Sequence, residues 1–409
     1  MRSAAAETRP LTHFRTPHLT TPVHERTSAC NRNHSWVPWA GYMTAGVYDD
    51  ETMEYFAVRN QAGVYDISPM VKYRISGRDA AAFVDRLQVR SVAKLKPGRV
   101  FYTVWCDGEG MVIDDGTVFR LGPDHFRICC QERMLPWLLD SAEGFDVGIE
   151  EETEAVAGLS LQGPCAFEVL KRAGLEAAGR LKPFDLADFQ MGDLPVMISR
   201  TGFTGDLGYE LFVEPSRALD LWDRLFEAGR LHGIRPFGND ALNLARIEAG
   251  FIMARFDFVN AEHTLRPGRS RSPYEIGLGW MVDFDKGHFN GRRALLAERD
   301  GRTSRYTFVG LDIEGNLPAE SALLYVKTGV GTWAEAGHVT AAAWSPTLKR
   351  NIALASLKRP HGLTRHDTLY AEIYVMRELM WQKLMVKAHI AERPFFNHPR
   401  RRATPPGPY

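Results

Sequence analysis

Apolar and polar positions along this chain recur in two rhythms. In "ETMEYFAVRNQAGVYDIS" the apolar residues Met53, Phe56 and Ala57 keep helical spacing, and the pattern turns extended at Gly63 in "VYDIS". "VKYRISG" then alternates with period two, as a strand does, and "DAAAFVDRL" returns to the helical period after Arg78 and Asp79. The run "RVFYTVWCDGEGMVIDDGTVFRLGPDHFRICC" predicts three strands, cut by the turn formers of "CDGEG" and "LGPDH". A helix around "ERMLPWLLDSAE" follows. "GIEEETEAVAGLSLQGPCAFEVLKRAG" reads as strand, turn and helix, "LPVMISRTGFTGDLGYELFVEP" as a hairpin, and "SRALDLWDRLFEAGRLHG" as an amphipathic helix.

A hairpin-plus-helix scheme therefore occurs twice, near 70–140 and near 160–232, which predicts an α+β domain of two similar halves. Beyond about residue 300 the pattern shifts to short strands with turns through 390, a separate small β domain. Four segments result: a disordered extension over 1–32, the two-halved domain over 33–300, the β domain over 301–395, and a basic, Pro-rich, solvated tail over 396–409. The first 30 residues are rich in Arg and Thr and poor in acids, so a transit peptide is the alternative reading of the extension.

Composition narrows the function class mainly by exclusion. Hydrophobic residues make up 44% and charged residues 24%, and 50 basic residues balance 50 acidic ones, so no global field favours nucleic acid or membrane. No apolar run approaches the roughly 20 residues that cross a bilayer. Five cysteines without C-x-x-C spacing suggest neither zinc nor a redox pair, and a reducing, cytoplasmic setting is expected. Phosphate loops, dinucleotide fingerprints, HExxH and GxSxG are absent, and the thirteen histidines show no metal-ligand spacing.

Two stretches hold candidate chemistry. "RTGFTGDLGYELF" places Gly202, Gly205 and Gly208 before Glu210, a lone acid in an apolar strand. Glycines permit positive φ and close backbone approach. An inward carboxylate needs a partner, and paired N–H groups of a heterocycle would supply one; a solvent-facing Glu210 is the alternative. "GMVIDDGTVF" sets Asp114 beside Asp115, and strand alternation sends them to opposite faces. An inward Asp would stabilise developing positive charge, whereas an Asp that holds its own loop backbone would be structural.

Taken in order, "AVRNQAGVYDISPM", "ISGRDA", "GEGMVIDDGTV", "LSLQGP", "RTGFTGDLGYEL", "ARIEAG", "SPYEIGLGW" with "VDFDKGHFNGRRAL", and "GHVTAAAWSPTLKRNIALA" resemble the aminomethyltransferase family. That family comprises the glycine cleavage T-protein and its folate-dependent oxidase and demethylase relatives. The likeness spans roughly residues 35 to 400. It implies a three-domain α+β fold: two ferredoxin-like α/β halves and a C-terminal small β-barrel-like domain around a central hole that holds tetrahydrofolate. It implies Asp115 as the catalytic carboxylate near the folate N5/N10 edge, Glu210 on the pterin, Phe203 where the T-protein has Tyr, and Met70 and Tyr102 lining the folate site. No metal is implied.

The resemblance also carries departures. Leu242 and Ala254 stand where the T-protein has Arg and Tyr. The expected activity is therefore one-carbon transfer, methyl or methylene, between tetrahydrofolate and a small N-, O- or S-methylated molecule, in the manner of a demethylase. Three alternatives stay open: the glycine-cleavage T-protein with its lipoylated carrier protein, a biosynthetic donor of one-carbon units, and a non-catalytic folate-binding regulator. Trp36, Trp39, Tyr42, Tyr102 and Trp105 border the substrate side in relatives, as an aromatic cage for a methylated cation or as core. Neither nucleic acid nor membrane is an expected partner.

Overall fold

The computed structural model describes residues 19–405. The scheme read from the sequence recurs as a β-α-β-β-β-α-β unit. In the first half the strand Val71–Ser76 leads to the helix Ala80–Leu87, and the strands Arg99–Cys106, Val112–Gly122 and His125–Cys130 follow. The helix Leu135–Ser141 and the edge strand Gly148–Glu151 complete it. In the second half the strand Ala157–Gln162 precedes the helix Ala166–Arg172, the strands Leu186–Met191, Leu194–Ser199 and Gly208–Val213, and the helix Ala218–Gly229.

Each half orders its four main strands alike, second–third–fourth–first, with antiparallel pairing. The strand Gly63–Asp66 departs from this repeat. It precedes the first half in the chain yet pairs with Ala157–Gln162 of the second. One face of each sheet packs under its helices, around Tyr73, Phe83 and Trp105 in one half and Leu161, Leu170 and Leu225 in the other. A further cluster, around Val100, Phe119 and Phe212, fills the space between the two sheets.

From Tyr306 to Ala391 six antiparallel strands close into a barrel with its own core of Leu311, Leu324, Ala353 and Leu369. Closure removes the unpaired edges that would otherwise recruit other chains. The α+β fold with a C-terminal barrel is thus present as the sequence implied. Among the described residues no helix is long and apolar enough to cross a membrane, no cluster of potential metal ligands occurs, and all five cysteines are free.

Two terminal segments differ from expectation. Residues 1–18 of the expected extension lie outside the described residues, but 19–32 are structured. Val23 is fully buried in the second half's core, and the helix His24–Cys30 follows it. The C-terminal tail is not a solvated end up to residue 405. Arg400 grips the buried Asp206 through Nε at 2.5 Å and Nη2 at 2.7 Å, and the Phe396 N–H donates to the Glu248 carbonyl at 2.8 Å. One of the tail's basic residues, Arg400, is thus anchored by an acid inside the protein, which local composition does not reveal.

Candidate functional site

The two halves, the loop 250–256, the segment 276–285 and the tail enclose one cavity of about 1840 Å³. Its walls include Met70, Tyr102, Asp115, Phe203 and Glu210, so all five sequence-assigned residues share one space. Single-ligand pockets run to roughly 300–1,000 Å³. This cavity is large enough for two reactants side by side.

Asp115 owes its orientation to strand register. Asp114 pairs across to Trp105 and Asp115 to Val104, so Asp114 lies on the core face with Trp105 while Asp115 shares the cavity face with Tyr102. The next residue must be glycine, because a Cβ on Gly116 would sit 2.1 Å from the Cys129 carbonyl. Of the two readings for the other acid, outward or loop-holding, Asp114 takes the second: the side chain is buried, with only 1% of the residue exposed. Its carboxylate accepts the N–H groups of Asp115, Gln131 and Glu132 at 2.9–3.1 Å. Both faces of this sheet are covered, so alternation does not deliver the second acid to water. Asp114 holds loop backbone, but from inside.

Tyr102 donates its hydroxyl to Asp115 Oδ2 at 2.6 Å. Burial above all, with the Asp257 carboxylate, pushes Asp115 up to about 6, while the Tyr102 hydroxyl and Arg246 pull it down. Burial first, then the Asp115 charge, raises Tyr102 well above the phenol range, so it stays a donor. A carboxylate that titrates near neutrality on a cavity wall suits proton or charge management.

Glu210 faces the same cavity from the strand Gly208–Val213 and accepts the Thr201 hydroxyl at 2.6 Å. Burial raises its pKa, partly offset by Thr201 and by the charge of Lys72. Lys72 is buried beneath the floor and donates to the carbonyls of Ser68 and Met70 at 2.9 and 2.8 Å, which fixes the turn that presents Met70. Phe203 stacks on Phe251 with centroids 5.6 Å apart. The nearby glycines serve packing: a Cβ on Gly202 or Gly208 would meet the buried Gln162 amide at 2.2 Å, and Gly205 takes φ +73°.

Of the five candidate cage aromatics, Trp39 and Tyr102 line the cavity. Tyr42 and Trp105 are core residues, and Trp36 packs on His24. Leu242 and Ala254 both lie on the cavity wall. Trp280 and Phe284 also line it without having been singled out, as does Arg90, which donates to the Tyr102 carbonyl at 2.7 Å. "SPYEIGLGW" and "VDFDKG" had marked that segment only as part of the resemblance.

Residues 23–286 match the GCVT N-terminal domain, and residues 307–397 match the glycine cleavage T-protein C-terminal barrel domain. An aminomethyltransferase of Caldanaerobacter subterraneus subsp. tengcongensis is 31% identical over 370 residues, covering 89% of this chain and 92% of its own. The trimethylamine-oxide aldolase of Ruegeria pomeroyi is 36% identical over 326 residues, covering 75% of this chain but only 39% of that longer protein. The crystal structure of glycine cleavage system aminomethyltransferase T from Bartonella henselae has the same fold, with a TM-score of 0.79 over 93% of this chain and 98% of that one at 22% identity.

Proposed function

The chain belongs to the glycine cleavage T-protein family of folate-dependent transferases, and from that premise we propose that it moves a methyl or methylene unit between a small N-methylated molecule and tetrahydrofolate. One observation carries this reading. A single cavity with room for two reactants has a near-neutral carboxylate, Asp115, on one sheet and a second acid, Glu210, on the other.

The residues present fit a reduced pterin. Glu210 offers carboxylate oxygens to adjacent ring N–H groups, a fork that a charged acceptor strengthens. Met70, Phe203 and Trp39 supply the apolar contact its flat faces require. When bound, tetrahydrofolate supplies the nucleophilic nitrogen that takes the one-carbon unit. Asp115 faces the donor side, where its carboxylate stabilises positive charge on the donor nitrogen or accepts its proton. Tyr102 holds that carboxylate in place. The match to a trimethylamine-oxide aldolase supports an N-methylated donor.

The test is titration calorimetry with tetrahydrofolate. The parent protein is expected to bind, and Glu210→Gln to weaken binding by roughly 10- to 150-fold, as loss of a charge-assisted hydrogen bond costs about 1.5–3 kcal/mol. No heat of binding for the parent protein would end this reading. Glycine cleavage is the second reading, favoured by the near full-length match to an aminomethyltransferase. Turnover of an aminomethylated lipoyl carrier protein would establish it.

The pH dependence has a defined sign. Asp115 is protonated below about 6 and ionised above it. If the carboxylate is the working form, turnover rises with pH through about 6. A profile already flat from pH 4.5 upward would exclude Asp115 as the group that titrates.

A further inference from the structure

Behind the Asp115 wall lies a buried carboxylate that the reading above does not use. Asp257 closes the cavity-lining loop 250–256 and collects donors from three parts of the chain. Arg246 NH1 reaches it at 2.6 Å from the helix Asn239–Glu248. The Met253 N–H reaches it at 2.9 Å from the cavity loop itself, and the Thr340 hydroxyl reaches it from the barrel strand Thr332–Ser345. The side chains of Arg246 and Asp257 are wholly buried.

Thr340 owes its reach to an irregularity in the barrel. The ladder to the strand Arg350–Lys358 pairs Val339 with Ala355 and Ala341 with Leu354, so Thr340 is an extra residue with no partner opposite. Such a bulge bends a strand and re-aims a side chain. The hydroxyl has one proton to give, and the carboxylate is the stronger acceptor; the Leu354 carbonyl, at 3.1 Å, is the other acceptor in reach.

We propose that Thr340, Asp257 and Arg246 form a relay by which the barrel positions the cavity loop and sets the electrostatics at Asp115, Thr340 being the positioning residue. The relevance of this relay to catalysis rests on the functional reading above. Arg246 NH1 also donates to the Phe251 carbonyl at 3.1 Å. The loop is thereby held at 251, 253 and 257, around Ala254 on the cavity wall and Arg255 at φ +73°. Asp257 raises the proton affinity of both Asp115 and Tyr102, and Arg246 lowers that of Asp115. Asp115 also interacts through the sheet with Asp114 on its own strand, itself under the influence of Glu132, and with Cys130 on the next, while the cavity-lining Arg393 feels the Asp257 charge.

Two readouts test the relay without folate. With carbon-13 in the aspartate carboxyls, Asp115 is assigned by the signal that vanishes in Asp115→Asn. In Asp257→Asn its midpoint is expected to fall by about half a unit or more, because a neighbouring negative charge is gone while Arg246 remains. In Thr340→Val, amide exchange across residues 251–258 is expected to accelerate roughly tenfold with global stability otherwise kept, and Thr340→Ser to restore it. An unmoved Asp115 midpoint in a folded Asp257→Asn overturns the relay. So does unchanged exchange in Thr340→Val, which decides the matter if Asp257→Asn fails to fold. A parent protein that does not bind tetrahydrofolate would sink the functional reading and leave both readouts intact.

Discussion

Asp115→Asn is expected to lower turnover by about 10²–10³-fold while tetrahydrofolate affinity changes less than about threefold, the range seen when one preorganised electrostatic group is removed from a site. The amide keeps the shape and an oxygen to accept the Tyr102 hydroxyl, so the wall geometry survives. What disappears is the charge. Stability separates this outcome from misfolding. A group whose folded pKa is raised contributes stability that is present below its unfolded pKa, near 4, and lost as pH rises through the folded value, here about 6. At pH 7.5 the parent protein therefore carries an ionised acid that is costly to bury. The asparagine variant should be at least as stable there, and should lose that advantage at pH 4. Near-parental turnover in a folded Asp115→Asn would remove Asp115 from the mechanism. A less stable variant at pH 7.5 would refute the account of its raised pKa.

The repeat of the two halves was legible because its signals are local: period-two alternation, helical spacing, and turn formers at "CDGEG" and "LGPDH". The cavity residues were reached differently. Glu210 and Asp115 stood out as acids in apolar strands, but neither pattern nor spacing could say that Met70, Phe203 and Tyr102 would share one space with them. What stayed hidden depends on partners distant in the chain. Asp114 is buried because the strand His125–Cys130 delivers the Gln131 and Glu132 N–H groups to it. Arg400 is anchored by Asp206, 194 residues away. The glycines of "TGFTGDLG" signal positive φ and close backbone approach; Gly205 takes φ +73°, and Gly202 and Gly208 leave room for the Gln162 amide. A faint signal for the buried hubs did exist. Arg59 in "FAVRN", and Arg246 and Glu248 in "LARIEAG", are charges inside apolar runs, and such charges seek one another.

Glu248→Ala is expected to be the most destabilising single change considered, costing about 3–5 kcal/mol, as removal of one partner from a buried ion pair does. The Glu248 side chain is fully enclosed and joins three parts of the protein. Oε2 accepts Arg59 through Nε at 2.8 Å and NH2 at 2.6 Å, which ties the helix Asn239–Glu248 to the helix Glu51–Asn60. Oε1 accepts the Tyr55 hydroxyl at 2.5 Å and the Ser345 hydroxyl of the barrel. With alanine, Arg59 keeps Asp206 at 3.6 Å and the Thr204 and Ala245 carbonyls, but loses its fork. Ser345 and Tyr55 lose their shared charged acceptor in a buried interface, and Tyr55 keeps the Thr347 hydroxyl. Glu248→Gln should cost less, since it keeps the shape and one acceptor oxygen. Because Ser345 is the barrel's share of this hub, the alanine variant should also unfold less cooperatively, with a smaller denaturant slope, as the barrel uncouples from the two halves. A midpoint shift worth under about 1 kcal/mol would place Glu248 among the incidental buried pairs, whose Coulombic gain only balances their desolvation.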